Sequence, residues 1–344
     1  MVSFGMKPWS NTSRRHCVVT GGAGFVGSHL VEALLAQGAF VTAVDNLSTG
    51  RHSNIHHLHE NPNFRFVQLD VASQSLLAPI VAGCDELYHL ASYVGVKLAA
   101  QTSSQTILNN LRAIDNILEL ATHYRPKLLL TSTSEIYGKA LDVNVGDRTS
   151  LAEDSDRVYG PTEVHRWSYA GIKSVEEFLT LAKHHEEGLE TVIVRLFNVI
   201  GPRQQGRNGP VVPRLIQQAL NGEPLTVYGD GSQLRCFTDV SDAIQAIVIL
   251  MGHSEACGET FNIGNSIPVS IRALAELIVE VTGSDSTIEY VPHEAVFGKH
   301  FEDVSVRIPD VGKLQRLTNL TCDSSLEDSL RRIVESTRVT LNAG

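Results

Sequence analysis

HCVVTGGAGFVG, residues 16 to 27, sets a short β-branched run directly before a glycine-rich turn, and SHLVEALLA (28 to 36) continues it with helical periodicity. Gly21, Gly24 and Gly27 stand in GxxGxxG spacing, and Gly22, Gly24 and Gly27 also fit GxGxxG. Strand, glycine turn and helix in that order let backbone N–H groups and a helix N-terminus approach a pyrophosphate, with Phe25 and Val26 opening the helix. A second run, FVTAVD (40 to 45), ends on Asp45 about 20 residues further on, where the dinucleotide fingerprint places an acidic side chain. A carboxylate there accepts hydrogen bonds from ribose hydroxyls and repels a 2′-phosphate, so the pattern predicts NAD rather than NADP. The plain alternative is that Asp45 caps a turn.

Working outward, β-branched runs alternate with amphipathic ones. Strands are expected at HCVVT (16 to 20), FVTAVD (40 to 45), RFVQLD (65 to 70), ELYHLA (86 to 91), KLLLTS (127 to 132) and ETVIVRLF (190 to 197), with helices near 25 to 37, 104 to 123 and 167 to 187. That alternation predicts an α/β fold of Rossmann type, a doubly wound parallel sheet. After about Gly201, in GPRQQGRNGPVVP, proline and glycine cluster and the alternation becomes irregular. The expected organisation is a loose leader over 1–15, an NAD-binding domain over 16–200, and over 201–344 a smaller α/β lobe mainly for substrate. The last strand of the main sheet is open to coming from this second part. Asp70, closing the third strand in LDV, either meets the adenine edge or caps a turn.

With 344 residues, 42% hydrophobic and 19% charged, the chain has the composition of a soluble enzyme, and its net charge of −10 supplies no basic stripe for nucleic acid. Cys17, Cys84, Cys236, Cys257 and Cys322 are scattered and odd in number, which suits a reducing compartment and points to a cytoplasmic protein. The leader lacks the apolar core of a signal peptide, and no segment offers the roughly 18 consecutive apolar residues of a membrane span. HSNIHHLHE (52 to 60) is rich in histidine but has no cysteine or carboxylate at ligand spacing, so it reads as a solvated face and no metal is assigned.

Chemistry concentrates in two further stretches. TSTSEIYG (131 to 138) sets Thr133 and Ser134 before Glu135 at the end of a predicted parallel strand. YAGIK puts Tyr169 and Lys173 four residues apart, one turn above the other on a helix. An ammonium beside a phenol lowers the phenol's pKa, giving a base for an alcohol proton while NAD takes the hydride. Glu135 alone could equally cap a helix or pair with a basic residue.

GGAGFVGSHL, the Asp45 strand end, HLAS (89 to 92), Asn110, TSTSEIYG, YAGIK, RLFNVIGPR (195 to 203), VYGDGSQLRCFTDVSDA (227 to 243) and FNIGN (261 to 265) appear together in one order. In this the chain resembles the extended short-chain dehydrogenase/reductases that modify nucleotide sugars, over nearly its whole length after the leader. Epimerases of that family carry a small residue at the place of Glu135, and 4,6-dehydratases an Asp–Glu pair where this chain has Ser134–Glu135. The Thr-Ser-Glu triplet is instead similar to UDP-glucuronate decarboxylases, including the decarboxylase domain of the aminoarabinose lipid-modification pathway. RWSYAGIK and RCFTD match that subgroup as well. FGKHFEDVSVRIPD (297 to 310) is similar to that domain's segment whose arginine takes part in decarboxylation, and Arg307 stands at that place; a surface ion pair is its bland alternative.

The resemblance implies a reaction. Tyr169, aided by Lys173 and hydrogen-bonded through Thr133, deprotonates a sugar C4 hydroxyl as NAD takes hydride. Carbon dioxide then leaves the 4-keto uronate, with Glu135 and Arg307 organising the carboxylate and the proton delivered to C5. NADH afterwards returns its hydride or the ketone is released. The cofactor pocket takes in Gly21, Gly24, Phe25, Val26, Gly27, Asp45, Asn46, Asp70, Val71, Leu90 and Ala91 besides Tyr169 and Lys173. Asn110, Asn198, Val212, Arg214, Tyr228 and Arg235 fall to the UDP-sugar, Arg235 as a guanidinium suited to a pyrophosphate. Arg203 and Arg207 are candidates for a sugar carboxylate or for a solvated loop. Phe301 departs from the decarboxylase domain, which has tyrosine there. The rival readings are a UDP-sugar 4-epimerase and a catalytically idle NAD-binding sensor. A homodimer through the two long helices is expected.

Overall fold

The computed structural model describes residues 14–93, 104–205, 210–297 and 302–342. The predicted strands form as β1 (His16–Thr20), β2 (Phe40–Asp45), β3 (Phe64–Gln68), β4 (Glu86–His89), β5 (Lys127–Thr133) and β6 (Thr191–Leu196). Shorter strands follow: β7 (Val199–Ile200), β8 (Leu225–Tyr228), β9 (Leu234–Cys236), β10 (Thr238–Asp239), β11 (Glu259–Ile263), β12 (Pro268–Ser270), β13 (Ile288–Val291) and β14 (Val306–Arg307). The helices used below are α1 (Phe25–Ala36), α2 (Gln74–Val81), α3 (Ser104–Tyr124), α4 (Arg166–Glu187), α5 (Val211–Leu220), α6 (Val240–Gly252) and α7 (Ile271–Thr282).

One seven-stranded sheet runs in the order β11-β6-β5-β4-β1-β2-β3, every pair parallel. The chain winds outward from β1 to β3, returns to β4 on the other side of β1, and winds outward again. The order therefore reverses between β1 and β4, and in an open parallel sheet ligands bind at the carboxyl ends of the strands flanking that point. Both faces are apolar, as a parallel sheet covered by helices requires. Cys17, Val19, Val41 and Ala43 pack on one side with α1 and α6, while Val18, Val44, Leu87, Leu128 and Leu130 pack on the other with α2 and α3.

The later residues do not stay apart from this sheet. Helix α6 and strand β11 return to it, β11 pairing with β6 from Glu259↔Val192 to Ile263↔Leu196. The smaller layer is built from β8 and β13, from β9 between β12 and β14, and from α5 and α7, around a core that includes Leu215, Leu225, Val227, Leu274 and Ile278. Strand β4 ends at His89 rather than at 91, because Leu90 and Ala91 turn out of the sheet against Gly21. Phe301 and Arg207, expected at the substrate, lie outside the described residues, as does most of the expected leader. Among the described residues no helix is long and apolar enough to cross a membrane.

Candidate active site

At the switch point Gly21 takes φ +72, and a Cβ there would stand 2.9 Å from Ala91 N, so β1 and the end of β4 approach as closely as only glycine permits. A Cβ on Gly27 would meet Gly21 O at 2.1 Å, which presses α1 against the turn. Helix α1 follows Gly24 as its N-cap, with no side-chain cap and no acidic residue in its first turn. Its first N–H groups are thus left for an anion, which is what a bound pyrophosphate needs.

Asp45 is buried and accepts from Ala23 N (3.0 Å) and Leu47 N (2.8 Å), so it clamps the glycine turn to β2; burial pushes its carboxyl up and these N–H groups pull it down. Asn46 donates to Asp70 at 3.1 Å, and Asp70 also takes the hydroxyl of Tyr93 and the N–H of Ala72. Burial opposes its charge, but these three donors hold the Asp70 carboxyl below its ordinary value. Val71 is buried and its carbonyl accepts from Asn116 of α3.

Tyr169 and Lys173 lie on α4 as the spacing predicts. Lys173 Nζ donates to Thr131 O at 3.1 Å and to Glu176 Oε2 at 2.8 Å. Burial opposes its charge, but Glu176 and Tyr169 outweigh burial and keep it protonated, above its ordinary value. The Tyr169 phenol differs from the expectation of a lowered pKa: burial raises it, Glu176 and Glu135 add to that, and Lys173 is the largest opposing influence. Among nearby hydroxyls it is Ser92 that acts to lower the phenol, whereas Thr133 Oγ1 accepts from Glu135 N and caps the short helical turn Ser134–Tyr137. Asn110 accepts from Ser92 Oγ (3.1 Å) and Tyr93 N (2.9 Å) and donates to Thr106 O and Tyr93 O. With both amide ends engaged, Asn110 positions Ser92.

Glu135 meets Arg307 from 172 residues away in a two-pronged pair, Nη1 to Oε1 at 2.7 Å and Nη2 to Oε2 at 3.0 Å. Strand register explains the meeting: β14 pairs with β9 so that Arg307 lies directly beside Arg235. Two like charges on adjacent strands repel, and anions must offset them. Glu135 serves Arg307, and Asp303 accepts from Arg235 at 3.2 Å and from Arg166 at 2.9 Å. Arg166 also reaches Glu135 Oε2 at 3.5 Å and donates to Glu302 O at 2.7 Å. Burial, then Arg307, lowers the Arg235 guanidinium to about 10. Burial works against ionising Glu135, but Arg307 and Arg166 overcome it and hold the carboxyl at about 2. Three guanidiniums thus face two carboxylates beside Tyr169, and the buried Nε of Arg307 has no partner among the described residues. The cluster has one positive charge and one donor to give to an anion.

Ser134 is buried behind Glu135, and no acid stands in its place. Asn198 takes a positive φ of 35 and donates to Cys236 O, fixing the turn into β7. Arg203 bonds Ser28 Oγ at 3.1 Å and Glu32 of α1 at 2.6 Å, so in this structure its guanidinium serves α1. Val212 is buried in the smaller core, and Arg214 lies over the Tyr228 ring at 4.1 Å while donating to Thr226 O. Sequence reasoning missed Arg166, Asp303 and Ser92 as site residues. Arg166 carried a legible signal, since it precedes Tyr169 by three residues and Lys173 by seven and so shares their helical face.

A doubly wound parallel sheet with an uncapped glycine turn at its switch point and a Tyr–Lys pair on a neighbouring helix defines a dinucleotide-dependent enzyme that oxidises and reduces an alcohol carbon. The chain belongs to the NAD dependent epimerase/dehydratase family, whose pattern matches residues 17–264. Its cofactor is NAD, and the glycine cradle and Asp45 fit that group. A UDP-N-acetyl-alpha-D-glucosaminuronate decarboxylase of Bacillus cytotoxicus is 39% identical over 94% of this chain and 97% of its own length. UDP-glucuronic acid decarboxylase 1 of Arabidopsis thaliana is 36% identical over 94% of this chain and 70% of its own. Among solved structures, a UDP-glucuronic acid 4-epimerase of Bacillus cereus, in complex with UDP-glucuronic acid and NAD, superposes with a TM-score of 0.82 at 28% identity, covering 94% and 99% of the two chains.

Proposed function

We propose that the protein decarboxylates a UDP-hexuronate, UDP-glucuronate or its 2-acetamido counterpart, through a 4-keto intermediate. The observation that carries this reading is the arginine cluster, one positive charge in excess, set around Glu135 next to Tyr169. A neutral hexose offers it nothing, whereas a C5 carboxylate satisfies both the charge and the Arg307 Nε donor.

In this mechanism the Tyr169 phenolate takes the C4 hydroxyl proton, with Lys173 held protonated behind it. Bound NAD supplies the hydride acceptor for C4. The ketone makes the substrate a β-keto acid, so the electron pair of the bond to the carboxyl carbon passes into the C4 carbonyl as CO2 leaves. A proton from solvent water is delivered to C5 and discharges the enolate. Glu135, which Arg307 and Arg166 hold ionised, fixes the plane of Arg307 beside the departing group. A second reading, 4-epimerisation, draws on the likeness to the Bacillus cereus enzyme. Incubation with each UDP-hexuronate and NAD distinguishes them. CO2 with a UDP-pentose or its 4-ketone is expected, and the C4 epimer formed without CO2 would refute decarboxylation.

The same reading includes a second copy of the chain as partner. Val175, Phe178 and Leu179 of α4 expose an apolar stripe at helical spacing, and Leu108 extends it on the adjacent α3. Five free thiols, four of them buried, support a cytoplasmic setting, and a net charge of −10 supports a function without nucleic acid. The division at about residue 200 into an NAD part and a sugar part belongs to this proposal, with β11 and α6 interleaved.

A further inference from the structure

The histidine-rich run after β2 is not absorbed by the reaction. It folds into two consecutive 3₁₀ turns, His52–Asn54 and His56–Leu58. Their inner side is anchored: Ile55 is fully buried, and Asn54 and Leu58 nearly so. The backbone is closed by Asn54 N to Arg51 O (3.0 Å), Ile55 N to His52 O (3.1 Å) and His59 N to His56 O (3.2 Å). On the outer side His52, His56 and His59 converge, with ring centroids 4.7 Å apart for His52 and His59 and 5.6 and 5.7 Å for the other two pairs. Phe66 of β3 stands edge-on to His52 and His59, and Phe64 to His59, so the rings have an aromatic floor.

One nitrogen from each of these rings lies within 4.8 Å of the others. Imidazoles gain little from crowding one another in water. Among the described residues none of the three rings has a hydrogen-bond partner, whereas the adjacent His57 is engaged with Glu32 at 2.6 Å. Tetrahedral coordination at about 2.0–2.1 Å sets ligand nitrogens roughly 3.4 Å apart. Exposed rings on an anchored backbone cover that gap by side-chain rotation, with little backbone entropy to lose.

The run is also tied to the cofactor turn. Arg51 N and Asn54 Nδ2 both donate to Ala23 O, at 3.0 and 2.9 Å, and Ala23 N is the group that Asp45 holds. We propose that His52, His56 and His59 form a three-imidazole site for a first-row divalent ion such as Zn2+ or Cu2+, and that its occupancy is linked to NAD binding through Ala23. The donor set selects these ions over Mg2+ and Ca2+, which take oxygen ligands. The expectation of a merely solvated face describes the exposure of the run correctly and misses the convergence.

The test uses the untagged full chain, stripped with a chelator and titrated calorimetrically with Zn2+, Cu2+ and Mg2+. One Zn2+ or Cu2+ per chain is expected, weakened at least tenfold in each of His52→Ala, His56→Ala and His59→Ala, within twofold of wild type in His57→Ala, and no Mg2+ heat. Metal-free melting temperatures equal to wild type certify the folding of the variants. No uptake of either ion, or uptake unchanged in a His52→Ala/His56→Ala double variant, overturns the site. NAD affinity, measured by fluorescence without substrate, should tighten at least twofold on metal loading in wild type and not in His56→Ala. Metal uptake with unchanged NAD affinity overturns the linkage.

Discussion

Replacing Glu135 by glutamine keeps the size of the side chain and removes its charge from among three guanidiniums. Arg307 and Arg166 outweigh burial to hold the carboxyl at about 2 against an ordinary 4.5, a depression worth roughly 3 kcal/mol. The amide retains one acceptor for Arg307 and turns N–H groups toward the other prong, so one of the bonds at 2.7 and 3.0 Å is lost and donors face donors. If the paired geometry is used when CO2 leaves, a loss of that size slows the step by about 10²-fold. On the proposed mechanism the preceding oxidation at C4 uses Tyr169 and Lys173 and should stay within about threefold. A single-turnover experiment with UDP-glucuronate separates the two, following reduced nicotinamide by absorbance and CO2 by trapping. Equal slowing of both signals would mean that Glu135 acts before the chemistry, and unchanged CO2 release would remove it from the mechanism.

Tyr169→Phe should lower turnover by about 10²–10⁴-fold with NAD affinity nearly unchanged by calorimetry; unchanged turnover would sink the assigned base. Gly21→Ala places a Cβ 2.9 Å from Ala91 N at a positive φ, so urea titration should show a loss above about 2 kcal/mol together with weaker NAD binding. His89 is buried, bonded to Thr20 Oγ1, and held down to about 3 by burial and then by Lys173. Its folded value lies below the unfolded 6.5, so this contribution is complete above pH 6.5 and is lost as pH falls toward 3. Stability measured by urea titration should therefore decline over that window, more steeply than in His89→Asn. Phe178, 64% exposed on α4, should as Phe178→Glu give monomers in sedimentation if the stripe is a dimer face, and an unchanged oligomer would refute it.

The large sheet was legible because each strand is a short β-branched run whose burial is nearly uniform, and uniform burial is what a parallel sheet demands. Helix α2 was not: its eight residues, QSLLAPIV, contain Pro79, which reads as a breaker although it sits in the last turn. The final strand β11 was left open, since a run of five residues beside β6 is specified by tertiary pairing and carries little local signal. Asp45 followed from spacing, but its clamp on Ala23 N did not, because a carboxylate at a strand end can serve backbone and ligand alike.

The site divides along the same line between local and distant geometry. Tyr169 and Lys173 share a helical face, so their proximity follows from helix geometry alone. Arg307 and Arg235 are neighbours only because β14 pairs with β9 in one register, and strand register at a two-residue strand has no sequence signature of its own. That register has an electrostatic consequence. Two buried guanidiniums side by side are stable only if anions reach both, and Glu135 and Asp303 come from segments nearly 170 residues apart to do so. Because Arg166 joins from α4, the helix that carries Tyr169, the same pairs that neutralise the cluster also fix its distance from the base. Holding the smaller layer to α4 and fixing the charged cluster near Tyr169 are thus one set of interactions, so a substitution at Asp303 should disturb cohesion and turnover together, whereas Glu135→Gln disturbs chiefly the second.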